Sequence, residues 1–183
     1  MNYRLRNATA EDQSTLDDLI ARSARALGEN DYTPQQIEWA LRGAFGVDSQ
    51  LVRDGTYFVV ETEGRIVGCG GWSRRGTLFG GDTHAQRDDA ELDPGTDAAK
   101  IRAFFVDPAH ARRGIGKIIL EHCETEARSH GFSRFELMAT LPGVRLYQAC
   151  GYVPGTSYHH QMAPGLSIEF VPMSKSASDR GAS

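Results

Sequence analysis

The sequence predicts one α/β domain, in which strands and helices follow the order β-α-α-β-β-β-α-β-α-β-β. Three observations support this prediction. The 183 residues are 40% hydrophobic and 24% charged, which is ordinary for a single folded domain. Short segments with the composition of strands recur along the chain, and no internal repeat or linker divides it. Between residues 103 and 131, an apolar strand, a basic glycine turn and an amphipathic helix follow directly on one another.

The N-terminal part of the chain predicts one strand and two helices. Residues 3–8 alternate weakly between apolar and polar side chains, as a half-buried strand does. Thr9 and Asp12 form a capping box that predicts a helix ending near Gly28. The Thr-Pro pair at 33–34 predicts the start of the second helix, since threonine caps a helix and proline fits its first turn.

Strands dominate the rest of the chain. Glycines at 68, 70 and 71 are unusual inside a strand and indicate a bulge or a close approach of another group to the backbone. Residues 74–98 are polar, acidic and too long for an ordinary hairpin loop. The domain is expected to span 1–174, followed by a disordered tail at 175–183. Strands are predicted at 56–61, 65–73, 100–106, 134–139 and 166–173, with an extended segment at 152–154 and a short helix at 144–150.

The segment from 104 to 117 has the chemistry of an anion-binding site. An apolar strand ends at an Asp-Pro pair, and two arginines then lead into the sequence Gly-Ile-Gly-Lys at 114–117, where a helix begins. The first backbone N–H groups of a helix lack internal partners, and the helix dipole makes this end partly positive. Because the glycines keep side chains away, a pyrophosphate group can reach these N–H groups, with arginine side chains at the rim.

Two common phosphate-binding motifs do not fit this turn. A Walker A loop requires an earlier glycine and a Ser or Thr after the lysine, whereas this chain has Ala111 and Ile118 near those places. A dinucleotide fingerprint requires a third glycine three residues after Gly116, where Ile119 stands. The turn therefore belongs to another class of phosphate site.

Two segments resemble motifs of the GNAT N-acetyltransferase superfamily. The first, at 104–124, is FFVDPAHARRGIGKIILEHCE. It is similar to the family's acetyl-CoA signature, a strand ending in V-x-P followed by arginine and by G-x-G at the start of a long helix. It departs where Ala111 replaces the usual Gln or Arg. The second, LYQACGY at 146–152, resembles the family's [F/L]-Y-x-x-x-G-[F/Y] motif. The resemblance implies a mixed, mostly antiparallel sheet flanked by helices.

The resemblance also implies an N-acetyltransferase with acetyl-CoA as co-substrate. The amides of the turn would hold the pyrophosphate of coenzyme A, and the backbone of the preceding strand would hold the acetyl oxygen and the pantetheine. A primary amine, on a small molecule or a peptide, would attack directly in a ternary complex. Tyr147 would then donate a proton to the departing thiolate. The implied cofactor-binding residues are Phe104, Phe105, Val106, Arg112, Arg113, Gly114, Ile115, Gly116 and Lys117.

Some parts of this reading stay open. The strand before the turn contains no acid, so the sequence does not identify the base that deprotonates the amine, nor the amine itself. In the family, the segment between the first two helices borders the acceptor. Trp72 is either a core residue or an apolar wall of the acceptor pocket, and the wall is favoured because the next residues leave the sheet. A non-catalytic acyl-CoA-binding sensor is the alternative function. The candidate bases in the long loop are Asp82, His84, Glu91 and Asp97, and the candidate acceptor contacts are Glu29, Asp31 and Tyr32.

Bulk properties exclude several other classes of protein. The net charge of −4 and the lack of a basic block argue against nucleic acid as a partner. The chain has no apolar run that could span a membrane and no signal-peptide core, which indicates a cytoplasmic protein whose three cysteines are reduced. No metal is expected, because the adjacent histidines at 159–160 would point to opposite faces of a strand. The oligomeric state stays open between a monomer and a homodimer.

Overall fold

The computed structural model describes residues 2–85 and 87–176. In this part of the chain the strands are β1 (Arg4–Asn7), β2 (Tyr57–Thr62), β3 (Arg65–Ser73), β4 (Ala99–Val106), β5 (Arg134–Thr140), β6 (Val153–Pro154), β7 (Tyr158–Ala163) and β8 (Leu166–Ser176). The α-helices are α1 (Gln13–Gly28), α2 (Pro34–Ala40), α3 (Ser49–Arg53), α4 (Ile115–Ser129) and α5 (Val144–Ala149).

These strands form one sheet in the order β1-β2-β3-β4-β5-β8-β6, and β7 also pairs with β8. The pairing of β4 with β5 is parallel, and the other pairings within the described residues are antiparallel. The predicted fold class, a mixed and mostly antiparallel sheet flanked by helices, is confirmed. None of the helices within the described ranges has the length and the apolar composition that are needed to cross a membrane.

Two elements were not predicted from the sequence. The short helix α3 is capped by Asp48, whose Oδ1 accepts a hydrogen bond from the Gln50 N–H at 3.0 Å. Strand β7 is mostly polar and lies against β8, so its sequence lacks the apolar alternation that indicates a strand. Strand β8 continues to Ser176, two residues past the predicted domain end at 174. Residues 177–183 of the predicted tail lie outside the described residues.

The predicted caps of the first two helices are present. The Thr9 N–H donates to Oδ2 of Asp12 at 2.8 Å, in the capping box of a short 3₁₀ turn that leads into α1. The Thr33 side chain accepts from the Gln36 N–H at 3.2 Å at the start of α2. Both caps satisfy backbone groups that a helix cannot satisfy itself, so helix starts were readable from the sequence.

Apolar side chains alternate between the two faces of the sheet and form two cores. Phe58 of β2 belongs to the core beneath α4, whereas its neighbour Tyr57 belongs to the core beneath α1 and α2. Trp72 is fully buried in the first core, with its ring 6.0 Å from that of Phe132. The expectation that Trp72 forms a wall of the acceptor pocket is therefore wrong. The side chain packs between the sheet and the end of α4, where it serves the core.

A bulge in β4 opens the sheet at its centre. Ala103 has a φ of +55°, and the pairing of β3 with β4 shifts there, so that β4 contains one extra residue. The Tyr57 hydroxyl donates to the Ala103 carbonyl oxygen at 3.1 Å and holds the bulge. The parallel pairing of β4 with β5 covers Ala99–Ile101 and ends before the bulge. The two strands diverge beyond Ile101, and the gap between them leads into a cavity.

Candidate active site

A cavity of about 600 Å³ lies between the end of α1, the end of β4, the start of α4 and helix α5. Its wall is formed by residues within 23–28, 104–106, 111–117 and 140–147, together with Tyr32 and Phe45. This space is called the central cavity below. It brings together both sequence motifs, because the glycine turn lies on one side of it and the tyrosine of LYQACGY lies on another.

The glycine turn bends the backbone sharply just before α4. Arg112 and Gly114 have φ values of +60° and +83°, which turn the chain sharply before α4 begins. The Ile118 N–H donates to the Gly114 carbonyl oxygen at 3.0 Å. The N–H groups of residues 115–117 precede this first hydrogen bond of the helix, so the helix itself provides no acceptor for them. A Cβ at Gly114 would meet no atom within 4 Å, so the space beside this glycine is open.

Gly116 has a second structural reason to be glycine. A Cβ at this position would lie 2.7 Å from Cδ2 of Leu146, so α4 and α5 approach each other closely there. Gly68 in β3 is similar, because a Cβ there would collide with the side chain of Ile115 at the start of α4. These glycines let the helix that carries the turn lie directly against both the sheet and α5.

The predicted cofactor-binding residues surround the central cavity, with one difference. Arg113 is exposed and does not line the cavity, whereas its neighbour Arg112 does. The left-handed backbone at Arg112 aims consecutive side chains in different directions, which the sequence does not reveal. The other predicted residues line the cavity: Phe104, Phe105, Val106, Arg112, Gly114, Ile115, Gly116 and Lys117.

The amide of Val106 points into the gap beside β4. The N–H of Asp107 donates to the Val67 carbonyl oxygen in β3 at 2.9 Å, and successive amides of a strand alternate in direction. The Val106 N–H instead donates to Oγ of Ser23 in α1 at 3.2 Å. Ser23 is 4% exposed and also lines the cavity. The backbone N–H at the end of β4 thus donates to a side-chain hydroxyl and not to a neighbouring strand.

Tyr147 lies in the wall of the central cavity and is 8% exposed. Its ring packs edge to face with that of Phe104, the centroids 6.1 Å apart, and a Cβ at Gly143 would lie 3.3 Å from its Cε2 atom. Within the described residues, no hydrogen bond occupies its hydroxyl. Burial raises the pKa of Tyr147 well above its usual value, so the hydroxyl is protonated at neutral pH.

The segment between α1 and α2 contributes one of its three candidates to the cavity. Tyr32 lines it, whereas Glu29 and Asp31 are exposed and do not. The Tyr32 hydroxyl donates to the Glu169 carbonyl oxygen at 2.7 Å and accepts from the Leu141 N–H at 2.8 Å. Since both of its hydrogen-bonding capacities are used, Tyr32 offers the cavity mainly the face of its ring.

None of the four candidate bases in the long loop lines the central cavity. Asp82 accepts hydrogen bonds from the N–H and the hydroxyl of Ser49, both at 2.9 Å, and Asp97 accepts from the Asp93 N–H. The His84 ring packs at 4.8 Å on that of Phe79. Glu91 lies 4.0 Å from Nη2 of Arg75, with which it forms an isolated bridge. The loop uses these groups to fold on itself and on its neighbours.

The loop is fastened by buried charges that the sequence analysis missed. Oδ2 of Asp48 lies 2.6 Å from Nη2 of Arg102 in β4, and both side chains are at most 2% exposed. The other oxygen of Asp48 pairs with Arg87 of the loop at 3.1 Å. Arg102 also donates to the Gly80 carbonyl oxygen at 2.7 Å. An isolated aspartate before a short helix gives no signal of a partner 54 residues away in the sequence.

The acetyltransferase (GNAT) family model matches residues 15–152. The chain belongs to this family. A search for curated relatives by sequence found no match. Several solved structures have a fold similar to that of the GNAT chain. A GCN5-related N-acetyltransferase from Rhodopseudomonas palustris is 18% identical, with a TM-score of 0.71 over 96% of each chain.

Two further structures similar to this GNAT chain contain a coenzyme. The PaiA N-acetyltransferase of Thermoplasma acidophilum, in complex with coenzyme A, has a TM-score of 0.64 and 14% identity over 96% of this chain and 99% of that one. YncA of Salmonella typhimurium, a putative acetyltransferase with acetyl-CoA, has a TM-score of 0.63 and 16% identity over 100% of this chain and 98% of that one. At such identities the likeness shows a shared fold.

Proposed function

We propose that this chain transfers the acetyl group of acetyl-CoA to a primary amine, by direct attack in a ternary complex. The observation that carries the proposal is the convergence of the glycine turn and Tyr147 on one cavity. The turn offers backbone N–H groups at the start of a helix, which can bind a pyrophosphate, and the tyrosine offers a protonated hydroxyl. Family membership and the coenzymes bound to PaiA and YncA support acetyl-CoA as the co-substrate.

The cofactor is assigned to the basic end of the central cavity. Arg112, Lys117 and Arg145 line the cavity with exposed side chains, so their charges can meet phosphate groups without a large loss of hydration. The backbone N–H groups at 115–117 lie at the positive end of α4. We assign the pyrophosphate to these groups and the acetyl end to the gap beside β4, where the Val106 N–H lies.

Tyr147 is assigned the role of general acid. Attack of an amine on a thioester expels a thiolate, and a protonated hydroxyl at hydrogen-bond distance stabilises it or transfers a proton to it. In the proposed step the amine nitrogen forms a bond to the acetyl carbon, the carbon–sulfur bond breaks, and the sulfur receives the tyrosine proton. The proton that the new amide nitrogen loses then passes through water to the tyrosinate and restores its hydroxyl. Its raised pKa keeps Tyr147 in the form that this role requires.

Calorimetry with acetyl-CoA and a matched pair of charge reversals test the cofactor assignment. In Lys117→Glu, a carboxylate replaces an ammonium group in the wall of the cavity, and we expect affinity for acetyl-CoA to fall by about tenfold or more. Arg65→Glu makes the same change of charge at an exposed residue outside the cavity and should leave the affinity unchanged. Equal affinities for the two variants would remove the glycine turn from the site.

Release of thiol from acetyl-CoA in the presence of a panel of amines tests the transfer itself. Acetylated amine, identified by mass spectrometry, is the expected product. Tight binding of acetyl-CoA without transfer to any amine would instead favour the alternative, a non-catalytic acyl-CoA sensor. The cytoplasmic location stays a prediction from the sequence.

A further inference from the structure

The wall of the central cavity lacks acidic groups. Among the described residues, no aspartate, glutamate or histidine lines it, and its charged side chains are the cations Arg112, Lys117 and Arg145. The acids nearest in sequence have other partners or lie outside the wall. Asp107, for example, pairs with Arg22 at 3.0 Å and accepts a hydrogen bond from the Ala109 N–H. The cavity therefore has no anion with which to bind a cationic acceptor.

The part of the wall away from the glycine turn is apolar. Phe45 is 6% exposed and packs edge to face on Phe105, with ring centroids 5.8 Å apart. Leu27 and Tyr32 complete this side, and the Tyr32 hydroxyl is fully engaged in hydrogen bonds. An ammonium group buried against such a surface loses its hydration without gaining a partner, which is unfavourable. An apolar body gains free energy from the same contact.

The lining also lacks a group that could accept a proton from an ammonium ion. Tyr147 is held in its protonated form, and burial raises the pKa of Tyr32 in the same way. An amine must therefore enter as its free base. At pH 7 an α-amine, with a pKa of about 8, is about one-eleventh free base, whereas an alkylamine similar to lysine, with a pKa of about 10.4, is about one part in 2,500. The difference favours weakly basic amines by about 200-fold.

We infer that the acceptor is a weakly basic primary amine on an apolar or aromatic body without a second positive charge. This inference rests on the proposed acetyltransferase function and specifies its substrate class. Polyamines and other polycations are disfavoured by the same reasoning, because no acidic side chain of the wall can neutralise their additional charges. The acidic loop at 74–98 does not alter this, because the three acids and one histidine proposed there as candidate bases lie outside the wall.

Three amines test the effects of basicity and of additional positive charge separately. L-phenylalaninamide is aromatic and weakly basic, 2-phenylethylamine is aromatic and strongly basic, and spermidine is a polycation. With saturating acetyl-CoA, we expect kcat/KM at pH 7 to be about 200-fold higher for the amide than for phenylethylamine. When kcat/KM is calculated from the concentration of free base alone, the values for these two amines should be similar. Spermidine should be the poorest substrate. A higher kcat/KM for spermidine would overturn the inference and leave acetyl transfer established.

The pH profile gives an independent test of proton handling. If the amine enters as its free base, kcat/KM rises tenfold per pH unit and levels off at the pKa of each amine. The inflection should therefore move between phenylalaninamide and phenylethylamine. An inflection at the same pH for both amines would reveal a base on the protein and overturn this part of the inference. Binding of acetyl-CoA without acetylation of any of the three amines would overturn the inference, whereas failure with the whole panel of amines would refute the proposed function itself.

A matched pair of aspartate variants tests the apolar wall. Leu27 is half-buried in the last turn of α1 and lines the cavity, whereas its neighbour Ala26 is exposed and does not. Leu27→Asp should lower kcat/KM for phenylalaninamide and raise it for spermidine, because it adds the missing carboxylate. Ala26→Asp carries the same charge on the same helical turn and should change neither value. Identical effects of the two variants would show that Leu27 does not face the acceptor.

Discussion

The ring of Phe104 lies against the backbone of Gly70 in the neighbouring strand, so that a Cβ at Gly70 would be 2.6 Å from Cδ2 of the ring. The same ring forms part of the wall of the central cavity and contacts Tyr147. The close contact with Gly70 therefore fixes the position of Phe104 in the wall of the cavity. Glycine is needed at position 70 because any larger side chain would collide with the ring of Phe104.

Gly70→Ala tests this relationship. The added methyl group must displace Phe104, which we expect to lower the free energy of unfolding by about 1–3 kcal/mol and to weaken acetyl-CoA binding. Urea unfolding and calorimetry measure the two effects. Gly43→Ala is the matched control, because the nearest atom to its Cβ would be 4.0 Å away. A Gly70→Ala protein that behaves as Gly43→Ala would show that Phe104 moves freely.

Tyr147→Phe tests the proposed general acid. The phenylalanine ring keeps the contact with Phe104, so stability and acetyl-CoA affinity should change little. We expect kcat to fall by about 10² to 10⁴, the usual contribution of a general acid, and the defect to shrink as pH rises, because a thiolate then leaves without a proton. Tyr158→Phe, at an exposed tyrosine outside the cavity, should keep wild-type activity. Wild-type turnover by Tyr147→Phe would make this tyrosine a core residue only.

Asp48→Ala tests the buried charges that fasten the long loop. Removal of the carboxylate leaves the Arg102 guanidinium buried without its partner, and we expect a loss of about 3–5 kcal/mol in the free energy of unfolding. Glu38→Ala breaks an ion pair with Arg25 in which both side chains are more than half exposed, and it should leave the free energy of unfolding almost unchanged. Urea unfolding measures both. Similar losses for the two variants would contradict a structural role for the buried pair.

Asp12→Asn tests the first capping box through the pH dependence of stability. Hydrogen bonds from Arg6 lower the pKa of Asp12 to about 2, below its value of about 3.9 in an unfolded chain. Its contribution is therefore complete above about pH 4 and is lost as pH falls towards 2. We expect the variant to lose about 1–2 kcal/mol at pH 7 and the difference from wild type to shrink between pH 4 and pH 2. It is measured by urea unfolding at each pH.

Asp17→Asn is the control for this measurement. Asp17 is exposed on α1 and has a single long hydrogen-bonding partner, the Gln13 side chain at 3.4 Å. Its substitution should leave stability almost unchanged over the same pH range. A difference between wild type and Asp12→Asn that stays constant from pH 7 to pH 2 would mean that the charge of Asp12 is not what stabilises the start of α1.

Local signals in the sequence predicted the elements whose chemistry is local. The caps at Thr9 and Thr33, the strand that ends before Pro108 and the glycine turn each depend on residues within a few positions of one another. Other features depend on contacts that local signals do not carry. Trp72 ends its strand, which favours a pocket wall, but its burial depends on what packs across the sheet. Arg113 follows Arg112 directly, but the backbone turns at Arg112, and it is Arg112 that lines the cavity.

The sequence by itself determined the fold class, and it predicted the glycine turn and the tyrosine of the second motif as site residues, because each depends on a short run of residues whose spacing has a physical consequence. Only the tertiary structure decided which groups share the central cavity. The bulge at Ala103, the contact between Ser23 and the Val106 amide, and the apolar wall at Phe45 join segments that are far apart in the chain. No local pattern encodes such contacts, since they arise only when the sheet brings those segments together.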